Sequence, residues 1–231
     1  MIKKLSVIIP VFNEEKTIEA VLERVLSQKI GDWEKEIIVV DDGSTDDTEK
    51  KINNFAQKIS ILKNKNNLGK GAALIAGFKF STGEAIIVQD ADLEYSPTDW
   101  PMMLEALEDN PDVVAIYGSR ELGSKRDGYF CYIWGARSMT FLVNLFFNSK
   151  LTDVYTCYKL FRADFLKKLE IKSNGFEADA EITCKTLKNN GKIKELAINY
   201  CPRKFERGKH IRAKDGLIGA KTILECWLAK K

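Results

Sequence analysis

The chain has 231 residues, 45% apolar and 30% charged, which suits one large α/β domain with a sizeable core and excludes a disordered chain. Its net charge of +3 is unevenly spread: residues 1–119 hold 13 Lys/Arg and 21 Asp/Glu, residues 120–231 hold 23 and 12. An acidic first half can hold a metal and a basic second half can meet phosphates or an anionic membrane surface, while the lack of a nucleic-acid motif argues against nucleic acid.

Five widely spaced cysteines with no C-x-x-C pair, and one histidine, His210, argue against structural zinc and a disulfide framework and fit a reducing compartment. The N-terminus runs from Met1-Ile2-Lys3-Lys4 into a strand without an apolar signal region, so a cytoplasmic location is expected.

In chain order, Leu5-Ser6-Val7-Ile8-Ile9 predicts a strand ended by Pro10, and Glu14 to Gln28 carries Ile18, Val21, Leu22, Val25 and Leu26 at helical spacing. Glu36 to Val40 predicts a second buried strand, followed by Asp41-Asp42-Gly43-Ser44 and a helix from Thr45 to Gln57. Ile59 to Leu62 reads as a short third strand, and Asn67-Leu68-Gly69-Lys70-Gly71 opens a helix through Phe80. The β-branched run Ala85 to Val88 leads to Asp90, Asp92 and Glu94, a helix follows Pro97 to Asp109, and Val113 to Tyr117 runs into Gly118-Ser119-Arg120. This alternation implies a mainly parallel central sheet with helices on both faces.

Beyond Arg120 the regularity weakens. Gly123 to Gly128 is a polar loop, and Tyr129 to Phe147 is an aromatic-rich helix too interrupted by Arg137, Ser138 and Asn144 to span a membrane. Gly175 to Glu181 opens a helix with Glu177 and Glu181 one turn apart. A final amphipathic helix, Asp215 to Leu228, could rest on a membrane or pack against the sheet.

The chemistry gathers at strand ends. Asn13-Glu14, Asp41-Asp42-Gly43-Ser44 and Asp90-Ala91-Asp92 each follow a strand, and in a parallel sheet such ends converge on one pocket. Three closely spaced carboxylates, Asp90, Asp92 and Glu94, invite a hard cation, Mg²⁺ or Mn²⁺, though an acidic turn alone would read the same.

At these residues the chain resembles the family 2 glycosyltransferases with a GT-A fold, through Val7 to Glu14, Ile38 to Asp46, Asn67 to Gly71, Asp90-Ala91-Asp92, Gly118-Ser119-Arg120 and Tyr200-Cys201-Pro202-Arg203. It looks most similar to the dolichyl-phosphate mannose synthase and polyprenyl-phosphate glycosyltransferase branch. The resemblance implies a single domain over 1–231, with a nucleotide-sugar and metal-binding half over 1–119 and an acceptor-binding half with amphipathic helices over 120–231. Pro10, Phe12, Glu14, Asp42, Lys70 and Asp90 would bind the donor, and Asp90, Asp92 and Glu94 would hold the metal against its diphosphate. Arg120, Arg137 and Arg203 would meet the acceptor phosphate. Asp92, Arg120 and Asp179 are the catalytic candidates, Asp179 on the acceptor side with Glu177 as runner-up.

The implied activity is metal-dependent, inverting transfer of a hexose from GDP-mannose or a UDP-sugar to a polyprenyl phosphate. Peripheral association with the cytoplasmic membrane face is expected, and a separate membrane subunit could replace the spanning helices many members carry. Three rivals stand beside it: transfer to a saccharide or protein hydroxyl, a non-catalytic nucleotide-sugar-binding subunit, and a receiver-type Mg²⁺-binding signalling domain. The last would leave the basic C-terminal half unexplained.

Overall fold

A computed structural model describes residues 3–123, 130–202 and 213–229. Strand β1 (Lys3–Val11) is followed by α1 (Ile18–Ser27), β2 (Trp33–Asp41), α2 (Thr48–Asn53), β3 (Ser60–Lys63), α3 (Lys70–Phe80) and β4 (Ala85–Val88). A 3-10 turn at Pro97–Asp99 leads into α4 (Trp100–Asp109), β5 (Val113–Ser119), α5 (Phe130–Phe147), β6 (Lys159–Arg162) and α6 (Ala163–Leu166). The chain continues through α7 (Ala178–Lys188), β7 (Lys192–Ala197) and α8 (Ala213–Leu228).

The seven strands form one sheet in the order β3-β2-β1-β4-β6-β5-β7. β1 pairs in parallel with β2 and β4, β2 with β3, and β5 with β7, while β6 runs antiparallel between β4 and β5. This is the mainly parallel α/β sheet expected from the sequence. Its β-branched strands are buried because both faces are covered. Along β1, Leu5, Val7 and Ile9 pack with Ile18, Val21, Trp100 and Met103 of α1 and α4. Ile8 packs on the opposite face with Ala73, Leu74 and Phe78 of α3. The side-chain period of two thus sorts one strand onto two helical layers.

Helix α2 is shorter than predicted. Asp46 Oδ1 accepts the Thr48 N–H at 3.0 Å, a local turn that competes with helix before Thr48. Past Asn53 the chain closes i→i+3 bonds instead, from Asn54 N–H to Lys51 and from Lys58 N–H to Phe55.

A third apolar cluster joins Val143 of α5, Ala180 and Cys184 of α7, and Ile223 and Cys226 of α8. Helix α8 therefore packs chiefly on α5 and α7, in a cluster that Ile193 of β7 also borders. Among the described residues, no helix is long and apolar enough to cross a membrane.

Candidate active site

The parallel pairings bring the carboxyl ends of β1, β2 and β4 to one rim, and two antiparallel steps through β6 set β5 the same way. Because β6 is reversed, its first residue, Lys159, lies at that rim too. The crevice between β1 and β4, where the strand order reverses, is where such sheets bind ligands.

At the ends of β1 and β2, Asn13 adopts φ 53°, a left-handed conformation that asparagine tolerates. Its Oδ1 accepts the Thr45 N–H at 2.8 Å and its own N–H donates to Ser44 Oγ at 3.1 Å, fastening one strand end to the other. Pro10 is buried, and Phe12 and Glu14 beyond it are half-buried. Asp42, 3% exposed, accepts from Asn64 Nδ2 at 2.7 Å and from the N–H groups of Leu68 and Gly69. Those bonds anchor the loop that opens α3. The neighbouring Asp41 accepts the Ser44 N–H through Oδ1 at 2.9 Å, whereas its buried Oδ2 has no hydrogen-bond partner among the described residues. An orphaned buried acceptor is costly and rare, which marks Asp41 as a group suited to a ligand donor.

The acidic turn after β4 is tightly held. Leu93 sits at φ 65°, uncommon for so bulky a side chain, and the Glu94 N–H donates to Asp92 Oδ1 at 3.0 Å. Glu94 is buried, accepting from Tyr200 Oη at 2.6 Å, and its carbonyl accepts the Cys201 N–H at 2.9 Å. Tyr95 bridges to Tyr200, with ring centroids 5.2 Å apart. The Tyr200-Cys201 segment thereby clamps the turn.

Two lysines meet this turn and α7. Lys70 Nζ lies 2.9 Å from Asp90 Oδ1, 2.9 Å from Cys157 Sγ and 3.7 Å from Asp179 Oδ2. Lys159 Nζ lies 2.6 Å from Asp179 Oδ1 and 5.3 Å from the Tyr117 ring centroid. Burial would raise the Asp179 pKa, but the charges of Lys159 and Lys70 outweigh it and hold the carboxyl below the ordinary aspartate range. Burial also works against the Lys70 ammonium, yet Asp90, Cys157 and Asp179 keep its pKa well above the ordinary lysine value.

Glycine makes this approach possible. A Cβ on Gly71 would stand 2.3 Å from Ser173 O, and one on Gly69, at φ +103°, would stand 2.3 Å from Asn174 O. The Ala72 N–H donates to the same Asn174 carbonyl at 3.1 Å. The start of α3 therefore lies directly on the segment before α7.

Of the arginines, Arg120 is held by Asp153, with Nε–Oδ2 at 2.6 Å and Nη2–Oδ1 at 2.8 Å, and its guanidinium lies 5.3 Å from the Tyr200 ring centroid. Arg137 is exposed on α5 and pairs with Glu121 at 2.7 Å, beside the end of β5. Arg203 lies outside the described residues. Glu177 accepts the Gly175 N–H, and Glu181 accepts from Lys172 N, Ser173 N and Lys185, so both serve the loop before α7. Lys159 was missed in the sequence. A lysine inside the apolar run Tyr158 to Phe161 is the signal that could have found it.

Among the described residues, no group of three or more His, Cys, Asp or Glu side chains is gathered as a metal cage. Mg²⁺ and Mn²⁺ are commonly held by one or two carboxylates plus substrate phosphates and water, so the hard-oxygen pair Asp90 and Asp92 suits an ion whose shell a diphosphate completes. The ammonium already set against Asp90 marks a position where positive charge is stabilised.

The family model for glycosyl transferase family 2 matches residues 6–170. An uncharacterized protein of Methanocaldococcus jannaschii is 32% identical over 84% of this chain and 87% of its own length. The dodecaprenyl-phosphate galacturonate synthase of Rhizobium johnstonii is 30% identical over 73% of this chain and 50% of its own. The undecaprenyl-phosphate 4-deoxy-4-formamido-L-arabinose transferase of Proteus mirabilis is 38% identical over 56% of this chain and 40% of its own. The chain thus spans half or less of those two enzymes. In fold, it superposes on glucosyl-3-phosphoglycerate synthase from Mycobacterium tuberculosis in complex with UDP at a TM-score of 0.77, with 19% identity, over 99% of this chain and 82% of the other. The same synthase with Mn²⁺, UDP and glucosyl-3-phosphoglycerate gives 0.75 at 20% identity, over 98% and 79%. The architecture is the GT-A fold expected from the motifs, and the chain belongs to family 2 of the glycosyltransferases.

Proposed function

We propose that the protein transfers a hexose from a nucleotide diphosphate sugar to a polyprenyl phosphate, with inversion and with Mg²⁺ or Mn²⁺ at Asp90 and Asp92. The observation that carries this reading is the meeting of Asp90, Lys70, Asp179 and Lys159 at one rim of the sheet, where hard oxygens and fixed cations stand together. Relatives that are polyprenyl-phosphate sugar transferases support the acceptor class.

In this reading Pro10, Phe12, Glu14 and the loop anchored by Asp42 surround the base and ribose, and Asp41 Oδ2 accepts a base N–H. Lys70 binds the donor diphosphate. The divalent ion, when bound, stabilises the charge growing on the leaving diphosphate as a Lewis acid. An oxygen of the acceptor phosphate forms the new bond to the anomeric carbon, the bond to the diphosphate breaks, and a nucleoside diphosphate leaves. Arg120, Arg137 and Arg203 are assigned to hold the acceptor phosphate. Glu94, expected from the motif as a third metal ligand, is assigned instead to brace the acidic turn, because its buried carboxylate accepts from Tyr200 Oη. A phosphate acceptor is already ionised at neutral pH and needs no general base. Asp179, 2.6 Å from the Lys159 ammonium and 3.7 Å from that of Lys70, is then assigned to position these two cations on the acceptor side.

The membrane side of the proposal rests on exposed apolar groups. Trp134, Phe141 and Leu145 stand one face along α5, and Leu217, Leu224 and Leu228 stand one face along α8. Such faces suit the headgroup boundary of a bilayer. The test is thermal shift of the full chain against GDP- and UDP-sugars with and without Mn²⁺. A ligand at about 100 times its Kd adds about 2.7 kcal/mol of stability. Stabilisation that needs Mn²⁺ is expected, and no stabilisation by any donor overturns the reading.

A further inference from the structure

Lys70 is placed with unusual constraint for a lysine. It opens α3, its flanking glycines lie against the backbone at Ser173 and Asn174, and its side chain is largely buried. Its ammonium stands 2.9 Å from Asp90 Oδ1, while Asp179, the next carboxylate along at 3.7 Å, is already paired with Lys159 at 2.6 Å. Asp90 is therefore the carboxylate that Lys70 chiefly neutralises. It is also one of the two to which the reading above assigns the metal.

A carboxylate cannot serve an ammonium and a divalent ion at full strength together, because the two cations repel across it at contact range. Before nucleotide arrives, an ion approaching Asp90 meets a positive charge already in place. After nucleotide arrives, diphosphate oxygens accept hydrogen bonds from the ammonium and complete the ion's shell.

We infer that Lys70 is an internal counter-cation that holds the Asp90 site in a low-affinity state until a nucleotide diphosphate draws the ammonium away, making metal binding dependent on the nucleotide. The inference rests on the metal reading above and adds the order of events and the residue that enforces it. Linkage makes the effect reciprocal: the factor by which nucleotide strengthens the metal is the factor by which metal strengthens the nucleotide. Lys70 enlarges this factor beyond what the diphosphate oxygens supply as ligands to the ion.

The test is Mn²⁺ binding to the full chain, read from the free-ion electron paramagnetic resonance signal, with and without GDP or UDP. Wild type is expected to bind Mn²⁺ weakly alone and on the order of tenfold or more tightly with the nucleotide it accepts. Lys70→Met removes the charge at similar length, and is expected to bind Mn²⁺ alone on the order of tenfold more tightly than wild type while binding nucleotide less well. Lys70→Arg keeps the charge and is expected to keep weak Mn²⁺ binding. Equal Mn²⁺ affinity of wild type with and without nucleotide overturns the inference whether or not the variants fold. So does a folded Lys70→Met protein whose Mn²⁺ affinity alone is unchanged or weaker. Nucleotide binding with no Mn²⁺ uptake by wild type under any condition overturns the metal reading itself, and this inference with it.

Discussion

Lys159 Nζ at the start of β6 and Asp179 Oδ1 in the first turn of α7 lie 2.6 Å apart, and the lysine is 1% exposed. The pair ties the reversed strand to the helix that borders the site, and the Tyr117 ring centroid lies 5.3 Å from the ammonium. Removing one partner of a buried pair leaves the other charge uncompensated, which typically costs about 3–5 kcal/mol. Lys159→Met should fall at or just below the low end of that range, because Lys70 still stands near Asp179. Urea denaturation measures it, and Asp179→Asn added to Lys159→Met should recover part of the loss.

Gly71→Ala tests the contact that places Lys70. The new methyl would stand 2.3 Å from Ser173 O and 2.8 Å from Ala178 Cβ, so α3 or the segment before α7 must shift. Overpacking of this kind costs about 1–3 kcal/mol. Donor affinity should fall as well, because the shift moves Lys70, and calorimetry with the accepted nucleotide reads that loss separately from stability.

Acid should expose the role of Glu181. Burial opposes its charge, but bonds from Lys185, Ser173 and Lys172 outweigh burial and lower its pKa. A carboxyl with a lowered folded pKa stabilises the fold above its unfolded value of about 4.3, and that contribution is lost as pH falls through the folded value. Wild type should therefore exceed Glu181→Gln in stability by a constant margin above about pH 5. The margin should shrink as pH falls further, as followed by urea midpoints at each pH.

How much of this was legible in the sequence depends on the kind of signal. β1, β2 and β4 were readable because each is a β-branched run long enough, or sharply enough bounded, to be a buried parallel strand. β6 and β7 were not readable. β6 is four residues long with Lys159 and Arg162 at its ends, and β7 mixes Lys192, Lys194 and Glu195 into a half-exposed sheet edge, a composition that edge strands favour. The convergence of Asp41, Asp42 and Asp90 could be inferred from strand polarity alone. The division of labour between Asp41 and Asp42 could not, because it depends on where the Leu68 and Gly69 N–H groups fall. For the same reason the Lys70–Asp90 pair is hidden in the sequence: the two residues stand in separate motifs, and their contact is tertiary.

The exposed face of α5 gives a test of membrane docking. Trp134 is 53% exposed and Phe141 64%, so Trp134→Ser with Phe141→Ser should leave the chain folded, as circular dichroism checks. Binding to anionic liposomes should drop, and the binding that remains should weaken with salt. A double variant that keeps full liposome binding would move the docking face elsewhere.

The most direct test of the central claim is transfer itself. The full chain is incubated with Mn²⁺, GDP- or UDP-hexose, and either a polyprenyl phosphate or the matching polyprenol, and the lipid products are separated. The expected result is a hexosyl monophosphate lipid formed from the phosphate alone, lost with Asp92→Asn. Transfer to polyprenol at an equal rate, or full transfer by Asp92→Asn, would contradict the account.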